Sequence, residues 1–378
     1  MQAGTLIATI LRHDRKTASY KIALIRSLND LALGYAHLSQ DGASLAVPLR
    51  SLANFWVAYY WPFVSAAHPI EQGIHPPDKQ DISFRPALTQ LRQEWEKVIG
   101  GNSLPSDGFY LVGEFQSAHR RSNYPAVLTR AYDRVIRDIA DAIQQPVRYA
   151  GPGQYSVFGR PQRWQELKAA NPRMVCIPGT QPNERCLVVE AELWASFTEL
   201  SLWIEALCIH EWSLFTEGVS GLERGIVYTL LTDRPGNRRP LTWERNQVEI
   251  LMMEGHIFEC PWTGNKLNTK SYDLDHLLPL SAYPINEMWN LVPSDAVFNR
   301  NKKRDRLPGS TALQGAQPRL ALAYRHYTAS QPLAVALHHD ALMRFNGRVV
   351  ASDLPGSLAA CTTQFIQTVA SVRNLASF

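Results

Sequence analysis

The segment Ser51–Val64, SLANFWVAYYWPFV, is the most aromatic and apolar stretch of the chain. A bilayer-spanning helix needs about 20 apolar residues, and this run is shorter and contains Asn54. It therefore reads as a core helix, and the chain around it must supply enough apolar surface to bury it. That supply exists: 45% of the 378 residues are hydrophobic and only 19% are charged, a balance that excludes extended disorder. The length allows two or three domains. The N-terminal MQAGTLIATILRHDRK has no basic region before its apolar run and no small-residue cleavage site, so it reads as no signal peptide. Cys176, Cys186, Cys208, Cys260 and Cys361 are odd in number and none forms a CxxC pair. A disulfide framework or a four-cysteine zinc site is not expected, and a reducing, cytoplasmic setting is. The net charge of +4 does not by itself point to nucleic acid.

The expected class is α+β, mainly α. TASYKIALIRSLNDLAL reads as a helix that opens on the cap-type residues Thr17 and Ser19, with Ile22, Ile25, Leu28 and Leu31 on one face. In RPALTQLRQEWEKVIGG, Leu88, Leu91, Trp95 and Val98 share a face and Gly100 ends the helix. PAVLTRAYDRVIRDIADAIQQP reads as a helix closed by Pro146. Residues 147–187 are rich in glycine, proline and β-formers, which predicts short strands and turns. One long, central helix is expected over AELWASFTELSLWIEALCIHEWSLFTE, carrying Trp194, Phe197, Trp203, Leu207 and Trp212. The expected domains are a helical regulatory or recruitment region, 1–232; a basic linker and lead-in helix, 233–253, with Arg234, Arg238, Arg239 and Arg245; a catalytic region, 254–310; and a helical tail, 311–378. GPGQYS lacks the third glycine of a dinucleotide loop, and HEWSL lacks the second histidine of a zincin helix.

The chemistry concentrates between Tyr272 and Pro308, YDLDHLLPLSAYPINEMWNLVPSDAVFNRNKKRDRLP. HIFECPWTGNKL reads as a strand or a hairpin around the turn-type pair Thr263–Gly264, SYDLDHLLPL as a strand, and SDAVFNRNKKRD as a helix capped by Ser294. That order brings Asp275 from a strand and Asn299 from a helix to one site. A carboxylate and a carboxamide are hard oxygen ligands suited to Mg²⁺ or Mn²⁺. A histidine beside them can take a proton from water near neutral pH. The basic residues that follow can hold a polyanion.

The parts CPWTG, DLDHLLPLS, NLVPS and NRNK resemble, in order and spacing, the HNH or ββα-metal endonucleases over about residues 258–308. The pattern is especially similar to the HNH domain of RNA-guided CRISPR effectors, whose last ligand is also asparagine, although this chain is too short for such an effector. The resemblance implies a ββα-metal nuclease domain with trailing helices. It implies His276 as general base, Asp275 and Asn299 as metal ligands, and Asn290 as the residue that positions the loop and the base. It implies Lys302 as a phosphate contact, with Arg300, Lys303 and Arg304 beside it on DNA and Arg306 at the edge of the basic run. Asp273 shares a strand face with Asp275 and either supports the metal shell or is solvated. The implied cofactor is Mg²⁺ or Mn²⁺, and the implied partner is DNA rather than a membrane; some HNH proteins hold a structural zinc on paired cysteines, but Cys260 has no nearby cysteine in the sequence, so no zinc is expected. One such site cuts one strand, so nicking is the minimal activity. A stand-alone HNH enzyme with a large second domain is the arrangement of bacterial restriction and anti-phage defence nucleases, the HNH component of a type II Zorya system being one example, and other defence proteins are then expected partners. An inactive HNH-fold scaffold and a ribonuclease are the alternatives.

Overall fold

A computed structural model of the chain describes residues 3–39, 42–76, 78–116, 118–233, 241–279, 287–304, 306–345, 347–373 and 377–378. The described residues are mainly helical with small sheets. Arg234, Arg238 and Arg239 lie outside them. The chain divides into two compact units, residues 1–115 with 120–233 and residues 116–119 with 234–378.

The first unit begins with α1 (Ala3–Arg12), α2 (Tyr20–Gly34), β1 (Leu45–Pro48), α3 (Leu49–Tyr60), α4 (Arg85–Ile99) and α5 (Asp107–Gln116). After α6 (Ala118–Arg121) come α7 (Ala126–Tyr149), β2 (Gln162–Arg163), α8 (Trp164–Ala170), β3 (Val175–Cys176), β4 (Arg185–Val189), α9 (Ala191–Glu199), α10 (Ser201–Ser220) and α11 (Arg224–Thr232). The aromatic run forms α3 and the turn after it, as its composition demands. Trp56, Tyr60, Trp61 and Phe63 are fully buried, together with Phe84 and Trp212. The indole N–H groups stay paired in the core: Trp56 donates to Ser27 Oγ at 3.2 Å, Trp61 to Ser103 Oγ at 2.8 Å and Trp212 to Gln72 Oε1 at 2.7 Å. Burying the rings therefore strands no donor.

Several elements differ from the sequence reading. A four-stranded sheet in the order β2-β4-β1-β3 runs through the first unit, with β1 antiparallel to β4 and parallel to β3. No strand is expected before residue 147, yet β1 exists. All four of its residues are buried, so it has no polar alternation to read. Pro146 does not close α7, which runs on to Tyr149. The ring is buried, and its missing N–H leaves one carbonyl of the preceding turn without its usual helical partner. The expected long central helix breaks at Leu200 (φ −99°, ψ 15°) into α9 and α10. Trp194, Phe197 and Trp212 are buried, but Trp203 is 73% exposed and Val98 of α4 is 40% exposed. Ser19 stands before α2 without capping it; its hydroxyl is 2.8 Å from Tyr60 Oη instead.

The second unit contains α12 (Thr242–Met253), β5 (Tyr272–His276), β6 (Leu291–Asp295), α13 (Ala296–Phe298) continued by a π-helical turn (Asn299–Lys303), α14 (Ser310–Ala329), α15 (Gln331–Phe345) and α16 (Leu354–Arg373). The C-terminal helices are built into the unit. From α14, Tyr324 Oη donates to the Trp289 carbonyl at 2.6 Å and Tyr327 Oη to the Leu291 carbonyl at 2.9 Å. From α15, Asp340 accepts from the Met288 N–H at 2.7 Å, and Arg344 pairs with the buried Glu287 at 2.5 Å. Trp289, fully buried, packs edge-on against Phe345 and Phe365 and donates to Glu287.

Candidate active site

The site is framed by β5 and β6, which pair antiparallel with Asp273 opposite Ser294, Asp275 opposite Val292 and His276 opposite Leu291. Alternation along β5 puts Asp273 and Asp275 on one face. Ahead of β5, Glu259 bridges Lys266, while Cys260 N–H bonds Asn265 O and Leu267 N–H bonds Phe258 O. This is the expected hairpin, reduced to a single bridge. Its turn needs Gly264, whose φ is +74° and whose missing Cβ leaves room for the Arg319 guanidinium. Arg319 from α14 donates to the Pro261 carbonyl at 3.1 Å, and Cys260 is buried. Arg245 on α12 lies over the Tyr272 ring, 5.3 Å from its centroid.

Asn290 closes the loop that follows β5. Its side-chain Oδ1 accepts from the Leu278 N–H at 2.8 Å and its Nδ2 donates to the Leu278 carbonyl at 3.1 Å. Its own carbonyl accepts from the Leu277 N–H at 2.8 Å. The two residues after His276 are thereby fastened to the start of β6. His276 is 6% exposed and Asn290 is fully buried.

The helix after β6 starts on Asp295, whose carboxylate accepts from the N–H groups of Val297 and Phe298 at 2.9 and 3.0 Å. Ser294, the expected cap, lies buried within β6. Asn299, half-buried, opens the π-helical turn, and its carbonyl accepts from the Arg304 N–H at 2.8 Å, five residues on. Chain direction then changes at Arg304, with φ 49°.

The basic run does not act as one face. Lys302 and Arg304 are exposed. Arg300, also exposed, grips Asp273 with two hydrogen bonds of 3.1 and 3.2 Å. Arg306, half-buried, turns back to the Lys302 carbonyl. Lys303 departs from the expected DNA-facing set: it is 1% exposed. Its Nζ donates to the His276 carbonyl at 2.8 Å and stands 2.8 Å from Asp275 Oδ2. The ion pair is close but poorly aligned, and Oδ2 is buried without a well-formed hydrogen bond. Burial pushes the Asp275 carboxyl above its ordinary range, against the opposing pull of the Lys303 charge. Sequence reasoning missed this inward lysine; the four-residue spacing from Asn299, which puts both on one helical side, was the available signal.

The donor set suits a hard divalent cation. Asp275 offers a carboxylate whose Oδ2 the Lys303 ammonium approaches at 2.8 Å without a well-formed hydrogen bond, and Asn299 lies on the helix that follows the hairpin. Residues 1–231 match the family model described as a domain of unknown function (DUF8808), and residues 260–308 match the model described as HNH endonuclease. No curated protein matches the chain, and no solved structure does.

Proposed function

We propose a function for a chain that belongs, through residues 1–231, to the family described as a domain of unknown function, and that carries an HNH endonuclease domain at residues 260–308. It is a metal-dependent endonuclease that hydrolyses phosphodiester bonds of DNA, with nicking as its minimal activity. What supports this is the HNH match together with the local order inside it: Asp275 and His276 at the end of β5, the loop behind them clamped by Asn290, and Asn299 on the helix after β6.

Asp275 and Asn299 would hold Mg²⁺ or Mn²⁺, which when bound neutralises charge on the phosphate and the leaving oxygen. His276 accepts the proton of the attacking water. Asn290 acts on His276 through the backbone, by fixing Leu277 and Leu278 and so the end of β5. Lys302 and Arg304 offer exposed positive charge to the phosphodiester backbone, and Arg300 can join them when it leaves Asp273. The large first unit chooses when or where to cut, an organisation that fits bacterial restriction or anti-phage defence.

Supercoiled plasmid incubated with Mg²⁺, Mn²⁺ or EDTA tests the reading. Relaxed circles should form with metal and not with EDTA, and His276→Ala should slow their formation by about 10²- to 10⁴-fold. Cutting in EDTA, or equal cutting by His276→Ala, would refute the mechanism. Parallel digestion of RNA distinguishes a ribonuclease. Phage plating on cells that express wild type or His276→Ala tests the defence setting.

A further inference from the structure

Lys303 has no place in the mechanism above, yet it is the most deeply buried charge near the site, 1% exposed on its side chain against 14% for Asp275. An ammonium removed from water costs several kcal/mol unless it is paired and hydrogen-bonded. Here one Nζ meets two groups from the last two residues of β5, the Asp275 carboxylate and the His276 carbonyl, each at 2.8 Å. Asp273, on the same face of β5, is matched by Arg300. Among the described residues, both acids of β5 are therefore paired with a base from the helix that follows β6. The helix that delivers Lys303 also carries Asn299, four residues earlier, and the π-helical turn ends at Lys303 with the left-handed Arg304. Such turns are often found at functional positions.

We propose that Lys303 is a resident cation for Asp275: in the metal-free protein its ammonium stands against the carboxylate and holds it in place, and a divalent ion must share that carboxylate with it. Lys303 and the metal are then coupled unfavourably, and Lys303 sets metal affinity as a positioning residue. This rests on the metal-site reading given above. Near-isosteric Lys303→Met removes the charge and keeps most of the side-chain volume.

The test measures Mn²⁺ affinity by calorimetry, and thermal unfolding with and without saturating Mn²⁺, in full-length wild type, Lys303→Met and Asp275→Asn. Without metal, Lys303→Met should unfold at a lower temperature than wild type. It should bind Mn²⁺ about tenfold more tightly, and saturating Mn²⁺ should close most of the gap in unfolding temperature. A deficit that Mn²⁺ leaves intact, with affinity equal to or weaker than wild type, would make Lys303 a strut only and overturn the proposal. Asp275→Asn should lose Mn²⁺ binding. If wild type binds no Mn²⁺ that this variant loses, the metal-site reading itself fails and takes the proposal with it. Should Lys303→Met not fold, the wild-type protein still decides: the ¹⁵Nζ resonance of Lys303 must move on addition of diamagnetic Mg²⁺, and an unmoved signal in metal-bound protein refutes the coupling.

Discussion

Two side chains near the site show how different physics can sit a few residues apart. Asn290 is fully buried and makes two hydrogen bonds to the equally buried Leu278. Asn290→Ala strands a buried N–H and a buried carbonyl, at about 1–3 kcal/mol for each. That is a large fraction of an ordinary domain's stability of about 5–15 kcal/mol. Denaturant unfolding should show a loss of about 2–6 kcal/mol, and the Leu278 amide should lose hydrogen-exchange protection. Arg304 is the opposite case, an exposed residue held at φ 49°. A strained non-glycine conformation costs about 1–3 kcal/mol, while glycine's extra freedom in the unfolded chain costs about 0.5–1 kcal/mol. Relief of strain wins, so Arg304→Gly should raise the unfolding temperature by a few degrees, measured by calorimetry. Of these features, Asn290 was legible in the sequence because NLVPS follows DLDHLLPLS at a recognisable distance. The inward turn of Lys303 was not, because a run of basic residues reads as a solvated face until the helical turn that aims each side chain is known.

Among the elements, β6 depends on helices that come after the catalytic region. Tyr327, fully buried on α14, donates to the carbonyl of Leu291, the residue paired with His276 across the hairpin. Tyr327→Phe keeps the ring and leaves that carbonyl without its donor. Stability should fall by about 1–2 kcal/mol in denaturant unfolding, and hydrogen exchange should quicken along β5 and β6 before it does in α12. The sequence predicts a helical tail over 311–378, although the tyrosine hydroxyls that tie it to the strand carry no periodic signal. Elsewhere the reading failed for definable reasons. The break at Leu200 has no glycine or proline to announce it, and Pro146, a residue type that usually stops a helix, is buried within α7, which ends only at Tyr149.

For the whole molecule, the mild net charge of +4 leaves binding to depend on where the charges stand. Each lysine or arginine that neutralises a phosphate steepens the fall of log affinity with log salt by about 0.9. Removing Lys302 should flatten the slope by nearly that amount, as read from filter binding or fluorescence anisotropy over a salt series. Arg300 should behave differently, because it already holds an anion. On the proposed function, a move from the Asp273 carboxylate to a phosphate would swap one negative partner for another and leave an acid bare beside the DNA. Arg300→Ala should therefore change the slope far less than Lys302→Ala. If DNA is the substrate proposed above, the two bonds between Arg300 and Asp273 should act as an ionic toll on its entry to the site: weak at high salt, where exposed pairs are already screened, and felt most in dilute buffer.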